Sequence, residues 1–170
     1  MSNKLSQSQS ILFKILNKIP LFANFSNQNK LLLISVCKSK NFAEGDIIFR
    51  IDSDPTEMYL IIAGYVDIVL RNNQIVATIK PGELFGEMGV FTGMPRTATA
   101  LAKTAVKSFI IKKTELDTLT LQYPKLGRDL FRNVIAMLAA RIRENNELIK
   151  NLNKEIDRLE ERIKELSDKG

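Results

Sequence analysis

The chain of 170 residues is 45% hydrophobic and 26% charged, with a formal net charge of +6, enough for one globular domain of ordinary size and an additional element. It contains no histidine and one cysteine, which excludes Ser-His-Asp and Cys-His catalysis, histidine-ligated metals and internal disulfides. No apolar run approaches the roughly 18 residues of a membrane span, and the polar start MSNKLSQSQS, with Lys14 behind Ile11-Leu12-Phe13, does not make a signal peptide.

A cytoplasmic protein is therefore the expectation. Carboxylate or lysine catalysis stays open on composition, but nothing in the sequence argues for it, so no enzyme activity, metal or cofactor is expected. The basic residues are spread thinly. Their densest cluster, Lys38-Ser39-Lys40, is short and lacks interleaved aromatics, whereas a nucleic-acid face gathers its Lys and Arg. The charge reads as a soluble surface that happens to be basic.

Taken in chain order, Ile11, Leu12, Ile15, Leu16 and Ile19 recur at helical spacing until Pro20. Ser26 then stands as an N-cap for NQNKLLLISVC. Cys37 closes that apolar helical stretch and reads as a small buried hydrophobe. From residue 41 the period changes to two. FAEGDIIFR and MYLII are followed by YVDIVLR, in which Val66, Ile68 and Leu70 share one face and Tyr65, Asp67 and Arg71 the other. Asn72-Asn73 predicts a two-residue hairpin turn into QIVATIK, because Asn tolerates positive φ. TATALAKT and VKSFIIK add further strands. Many short strands without interleaved helices predict an antiparallel sandwich or barrel.

Helical pattern returns at Thr114, where Thr114 and Asp117 resemble a capping box. Pro124 is placed in the first turn of a second helix running to the end. About 45 residues in one helix would span about 65 Å. Ile149, Leu152, Ile156, Leu159, Ile163 and Leu166 alternate steps of three and four. That is a heptad seam with Ile at a and Leu at d, continued upstream by Asn145 (d), Ile142 (a), Leu138 (d) and Ile135 (a). A homodimer through 135–166 is expected, against the alternative of an amphipathic helix lying on its own domain. Ile at a and Leu at d favour a parallel pair. In a parallel pair Glu155 at g would face Glu160 at e, whereas an antiparallel one would set Glu155 against Arg162, so orientation stays open.

One stretch invites a ligand: FGEMGVFTGMPRTATA, residues 85–100. Gly86 and Gly89 let backbone amides approach closely. Glu87–Phe91 can form one helical turn, including Met88, whose free N–H groups face an anion. Arg96 can take two phosphate oxygens in parallel, Thr97 and its neighbours keep the wall small, and ionised Glu87 accepts from a hydroxyl. Phosphate plus hydroxyl describes a nucleotide with its sugar. The plainer alternative is turn glycines beside an exposed Glu87–Arg96 ion pair worth under about 1 kcal/mol.

Residues 85–104, FGEMGVFTGMPRTATALAKT, closely resemble the phosphate-binding cassette of the cyclic nucleotide-binding domain family. This is the sensor module of protein kinase A regulatory subunits, cyclic nucleotide-gated channels and bacterial catabolite activators. The shared pattern is F-G-E, a small residue two positions on, then P-R-(S/T/A)-A, with nine residues from Glu87 to Arg96. The resemblance covers about residues 10–145, including IPLFANFS, GDIIFR and MYLIIAGYVDI. It implies a mainly β fold: a β jelly roll flanked by helices in residues 1–124, then a long C-terminal coiled-coil helix in 125–170. It also implies a cyclic AMP or cyclic GMP ligand. Glu87 would accept the ribose 2′-hydroxyl, Arg96 would neutralise the cyclic phosphate, and amides near Gly86, Met88, Gly89 and Thr97 would complete the cradle. Arg141, Asn145 and Asn146 would reach the purine, although Asn145 at d can equally fix coiled-coil register. The activator-like helix leans to cyclic AMP, while a hydroxyl at Thr97 suits a guanine amino group. Asp52 stands where the family often has Gly, and Asp tolerates the left-handed conformation.

No helix-turn-helix segment follows the long helix, and residues 125–170 carry 11 basic against 9 acidic groups, so direct DNA recognition is not expected. The leading expectation is a cyclic nucleotide sensor that signals through a dimeric coiled coil to an effector protein. The alternatives are a structural dimerisation module that no longer binds nucleotide, and a DNA-binding regulator acting with another subunit.

Overall fold

The computed structural model describes residues 7–22 and 24–167. The chain forms two compact units, Met1–Leu130 and Phe131–Gly170.

The first unit opens with α1 (Gln7–Leu16), a single 3₁₀ turn (Pro20–Phe22) and α2 (Asn27–Val36). Ser26 caps α2 as expected: its backbone is extended and its hydroxyl accepts from the Asn29 N–H at 3.2 Å. Leu12, Leu16, Ile19, Leu21, Phe22, Phe25 and Leu33 are buried, so Leu12, Leu16 and Ile19 of the apolar stripe read from the sequence face the core, whereas Ile15 is half-buried and Ile11 exposed. The Cys37 thiol donates to the Leu33 carbonyl at 3.2 Å. Burial, aided by the charge of Glu115, pushes it up to about 12.

Eight strands follow: β1 (Lys38–Phe42), β2 (Ile47–Phe49), β3 (Glu57–Ala63), β4 (Val66–Val69), β5 (Ile75–Ile79), β6 (Leu84–Phe85), β7 (Thr99–Ala102) and β8 (Val106–Lys112). They form two antiparallel four-stranded sheets, ordered β1-β8-β3-β6 and β2-β7-β4-β5. The pairs 1 with 8, 2 with 7, 3 with 6 and 4 with 5 are those of one long hairpin wrapped on itself, which is the expected jelly roll. Its core between the sheets contains Tyr59, Ile61, Val66, Phe85, Ala100, Ala102, Val106 and Ile110. Three helices interrupt or follow the strands: α3 (Glu87–Thr92), α4 (Lys113–Gln122) and α5 (Pro124–Ser167), with Pro124 at the first helical position.

Four local readings change. Strand structure begins at Lys38, because KSKNF pairs along β8 from Lys38↔Ile110 to Phe42↔Val106; its two lysines hid it. Five residues, 70–74, separate β4 from β5, and inside the Leu70/Gln74 pair the turn has three residues, Arg71-Asn72-Asn73, not two. Leu70 N–H bonds the Gln74 carbonyl, Asn73 N–H bonds that of Leu70, and Asn73 takes φ 61°. This is a turn closed by a left-handed residue, with a bulge in the ladder at Ile68/Val69. Asp67, on the polar face of β4, is buried, where it accepts from the Thr78 hydroxyl at 2.6 Å and from Lys103 Nζ at 3.4 Å. No Thr114–Asp117 capping box forms. Helix α4 starts one residue earlier, with Lys113 N–H on the Thr56 carbonyl at 2.8 Å and Asp117 taken by Lys113 Nζ at 2.8 Å. Asp52 does adopt the left-handed conformation, at φ 66°.

The described residues of the second unit, 131–167, belong to α5, which is 44 residues in all, about 66 Å at 1.5 Å rise. The seam residues Ile135, Ile142, Ile149, Leu152, Ile156, Leu159 and Ile163 are exposed, from 51% at Ile156 to 69% at Ile135. Among the described residues no helix is long and apolar enough to cross a membrane.

Candidate functional site

Strand β6 pairs with β3 through Tyr59↔Phe85 and Leu60↔Leu84 and delivers the chain to Gly86, the N-cap of α3. Gly86 is left-handed at φ 73°. A Cβ there would lie 2.8 Å from Arg96 Nη1 and 3.2 Å from the Phe49 ring, so this position needs Gly on both counts. The glycine at 89 permits a close approach: a Cβ on it would meet Pro55 Cβ at 2.6 Å. The single α3 turn predicted at Glu87–Phe91 is thus present and packed against the loop before β3. Its end is closed by Gly93 N–H on the Gly89 carbonyl at 2.8 Å.

Arg96 is clamped by its backbone, which accepts from Asp52 N–H at 2.8 Å and donates to the Ser53 carbonyl at 3.0 Å. Its side chain is only 4% exposed. Nη1 donates to the Gly86 carbonyl at 2.6 Å and Nη2 to the Glu57 carbonyl, while the guanidinium lies 4.2 Å from the centre of the Phe49 ring. Its buried Nε–H has no partner among the described residues. Burial lowers the Arg96 pKa from its ordinary value, and Tyr59, Glu57 and Glu87 oppose that shift. An arginine remains a cation under such a shift.

Beneath Arg96 lies an aromatic layer. Phe49, Phe85 and Tyr59 have ring centres 4.9 to 5.9 Å apart. The Tyr59 hydroxyl donates to the Glu57 carboxylate at 2.6 Å, and Lys40 Nζ donates to the same oxygen at 2.7 Å. Burial raises the Glu57 pKa, but the bonds from Lys40 and Tyr59 and the charges of Lys40 and Lys112 outweigh it and hold the carboxyl below its ordinary value. Burial and the Glu57 bond push the Tyr59 phenol well up. A cavity of about 530 Å³ is lined by Glu57 with Pro55, Gly93, Lys112 and Thr114.

The structure brings Gly86, Glu87, Gly89 and Arg96 together. Glu87 is 3% exposed, so the alternative of an exposed Glu87–Arg96 pair does not hold. Met88 and Thr97 sit on the outer side, both exposed. Asn145 and Asn146 are exposed on α5 in the second unit, and the side chain of Arg141 on the same helix lies outside the described residues. Phe49, Glu57, Tyr59 and Lys40 were not legible as site residues. A buried cation with an unpartnered N–H, beside a buried carboxylate and close backbone, can bind an anion that also offers a hydroxyl.

The sequence model of the family described as "Cyclic nucleotide-binding domain" matches residues 39–123, half of the 170 residues. The chain belongs to that family. A cyclic nucleotide-binding domain from Methylobacillus flagellatus is 27% identical, with a TM-score of 0.71 over 81% of this chain and 80% of that one. A mutant regulatory subunit of a cAMP-independent protein kinase A from Trypanosoma brucei, bound to cAMP, is 26% identical, with a TM-score of 0.64 over 78% of this chain and 46% of that one. Potassium channel AKT6 of Arabidopsis thaliana is 29% identical over 114 residues, 65% of this chain and 13% of the channel. The chain thus spans a small part of that curated relative.

Proposed function

We propose that the chain is a cyclic nucleotide sensor that takes its ligand at Gly86, Glu87, Met88, Gly89, Arg96 and Thr97 and signals through a dimeric coiled coil of α5 to an effector protein. The observation that carries this reading is Arg96. A guanidinium 4% exposed, with its Nε–H unpartnered, costs stability unless an anion can use it. The cyclic phosphate supplies that anion, and the ribose supplies the hydroxyl for Glu87. The seam on α5 supports the dimer through its Ile-at-a, Leu-at-d pattern. Cyclic AMP is the first ligand to test, with cyclic GMP as its competitor for the exposed Thr97 hydroxyl. Arg141, Asn145 and Asn146 are the candidates for contact with the base.

The route from site to helix is short. Glu57 holds Arg96 by its carbonyl, and the preceding residue, Thr56, holds the first residue of α4. A ligand that draws on Arg96 therefore pulls on the segment that anchors α4, and it shifts the helix only if it prefers one arrangement. Hydrogen exchange with and without saturating cyclic AMP tests this: protection should change in α4 and in the start of α5. Unchanged exchange in both helices, with the site occupied, would contradict the switch.

One observation favours a second reading, a structural module that binds no nucleotide. Both Arg96 terminal nitrogens already bond protein carbonyls, so the side chain ties α3 to β3 without a ligand. An intact dimer that binds neither nucleotide would establish it.

A further inference from the structure

Lys40 lies in β1, opposite Ser108 in the ladder and far in sequence from the cassette. Its ammonium nevertheless reaches the Glu57 carboxylate at 2.7 Å and lies over the Phe42 and Tyr59 rings, 5.4 and 5.9 Å from their centres. The Glu57 side chain is only 12% exposed. A carboxylate so placed requires partners, and Tyr59 and Lys40 are the two that bond it, with Lys112 acting on it from the end of β8. The same residue grips Arg96 by its carbonyl. The Glu57 carboxylate also acts on the guanidinium by its charge.

We propose that Lys40 and Glu57 are positioning residues that set the charge Arg96 presents to a phosphate: Lys40 neutralises the Glu57 carboxylate, which otherwise competes with the ligand anion for the guanidinium. The inference rests on Arg96 being the partner of the phosphate. Its physical basis is that two anions beside one buried cation weaken each other's attraction to it, and that a nearby opposite charge removes that penalty. Neither residue need touch the ligand.

The test is a charge cycle read by titration with cyclic AMP. Lys40→Met keeps the apolar stem over the rings and leaves Glu57 unneutralised; affinity should fall about fivefold to tenfold. Glu57→Gln keeps the carbonyl and removes the competing charge; affinity should rise about threefold. The double variant restores the local charge balance and should return to within about twofold of the unaltered protein. A purely structural role for Lys40 would give no such rescue. Lys40→Gln, with thermal melting of each variant, guards against a folding defect and carries the same expectation.

Equal binding by the unaltered protein and Lys40→Met, with binding lost in Arg96→Ala, would overturn the proposal and leave the sensor reading standing. A double variant as weak as Lys40→Met would overturn it too. No binding by the unaltered protein, or full binding by Arg96→Ala, would overturn both.

Discussion

Arg96 and Gly86 are fitted to each other: Nη1 of the arginine donates to the Gly86 carbonyl at 2.6 Å, and a Cβ on Gly86 would lie 2.8 Å from that same nitrogen. The left-handed backbone of the glycine, at φ 73°, turns its carbonyl toward the guanidinium. Gly86→Ala should therefore cost about 1–3 kcal/mol of stability and displace Arg96. Denaturant unfolding and nucleotide titration should both register the change. A variant as stable as the parent would show that the turn relaxes freely.

The Tyr59 hydroxyl is a second measurable support. It is buried and donates to the charged Glu57 carboxylate at 2.6 Å. Tyr59→Phe keeps the aromatic layer and removes that bond, at an expected cost of about 1.5–3 kcal/mol by denaturant unfolding. Because the phenol is pushed well up by burial, no ionisation of Tyr59 should appear in ultraviolet titration of the folded protein around pH 10, where exposed tyrosines titrate.

Cys37 should be inert. The residue is half-buried rather than fully buried, yet its thiol rises from an ordinary 9.0 to about 12 in the fold, so the thiolate is suppressed at neutral pH and a disulfide reagent should react far more slowly with the folded than with the unfolded chain. The unfolded chain releases the proton near 9 and the folded chain near 12, so this contribution is full below pH 9 and is lost as the pH climbs through that interval. Cys37→Ala should remove this part of the alkaline destabilisation, which unfolding at pH 7 and pH 10 can measure. Rapid labelling of the native protein at pH 7 would contradict the burial.

The exposed stripe on α5 should hold two copies together. Ile149 and Ile156 are 54% and 51% exposed at successive a positions. Lysine at both should convert a dimer to a monomer in sedimentation equilibrium. A monomeric unaltered protein would remove the coiled coil from the account.

An antiparallel sandwich or barrel was legible because the strands carry a period of two and the turns carry Gly, Asn and Asp; the jelly roll itself came from the family resemblance. The cassette was legible through the resemblance of residues 85–104 to that of the family; its glycines, acid and arginine alone left turn glycines beside an exposed ion pair equally open. What surrounds Arg96 was not. Glu57 is 39 residues away in sequence, and Phe49 comes from the other sheet; only sheet pairing brings them to the guanidinium. Lys40 was hidden for a related reason. KSKNF is too polar to read as a strand, and the β8 ladder imposes that conformation. Thr114 failed as a cap because the Thr56 carbonyl takes the Lys113 N–H and starts the helix earlier. Long-range pairing overrode local preference in each case.

The central claim is that Arg96 binds the phosphate of a cyclic nucleotide, and calorimetric titration tests it most directly. The protein, freed of carried-over nucleotide, is titrated with cyclic AMP and with cyclic GMP beside Arg96→Ala. Saturable binding of at least one nucleotide is expected, falling by at least about a hundredfold in the variant, the scale on which a buried charge-assisted partner is lost. Absence of binding to either nucleotide by the folded protein, or equal binding by the variant, would contradict it.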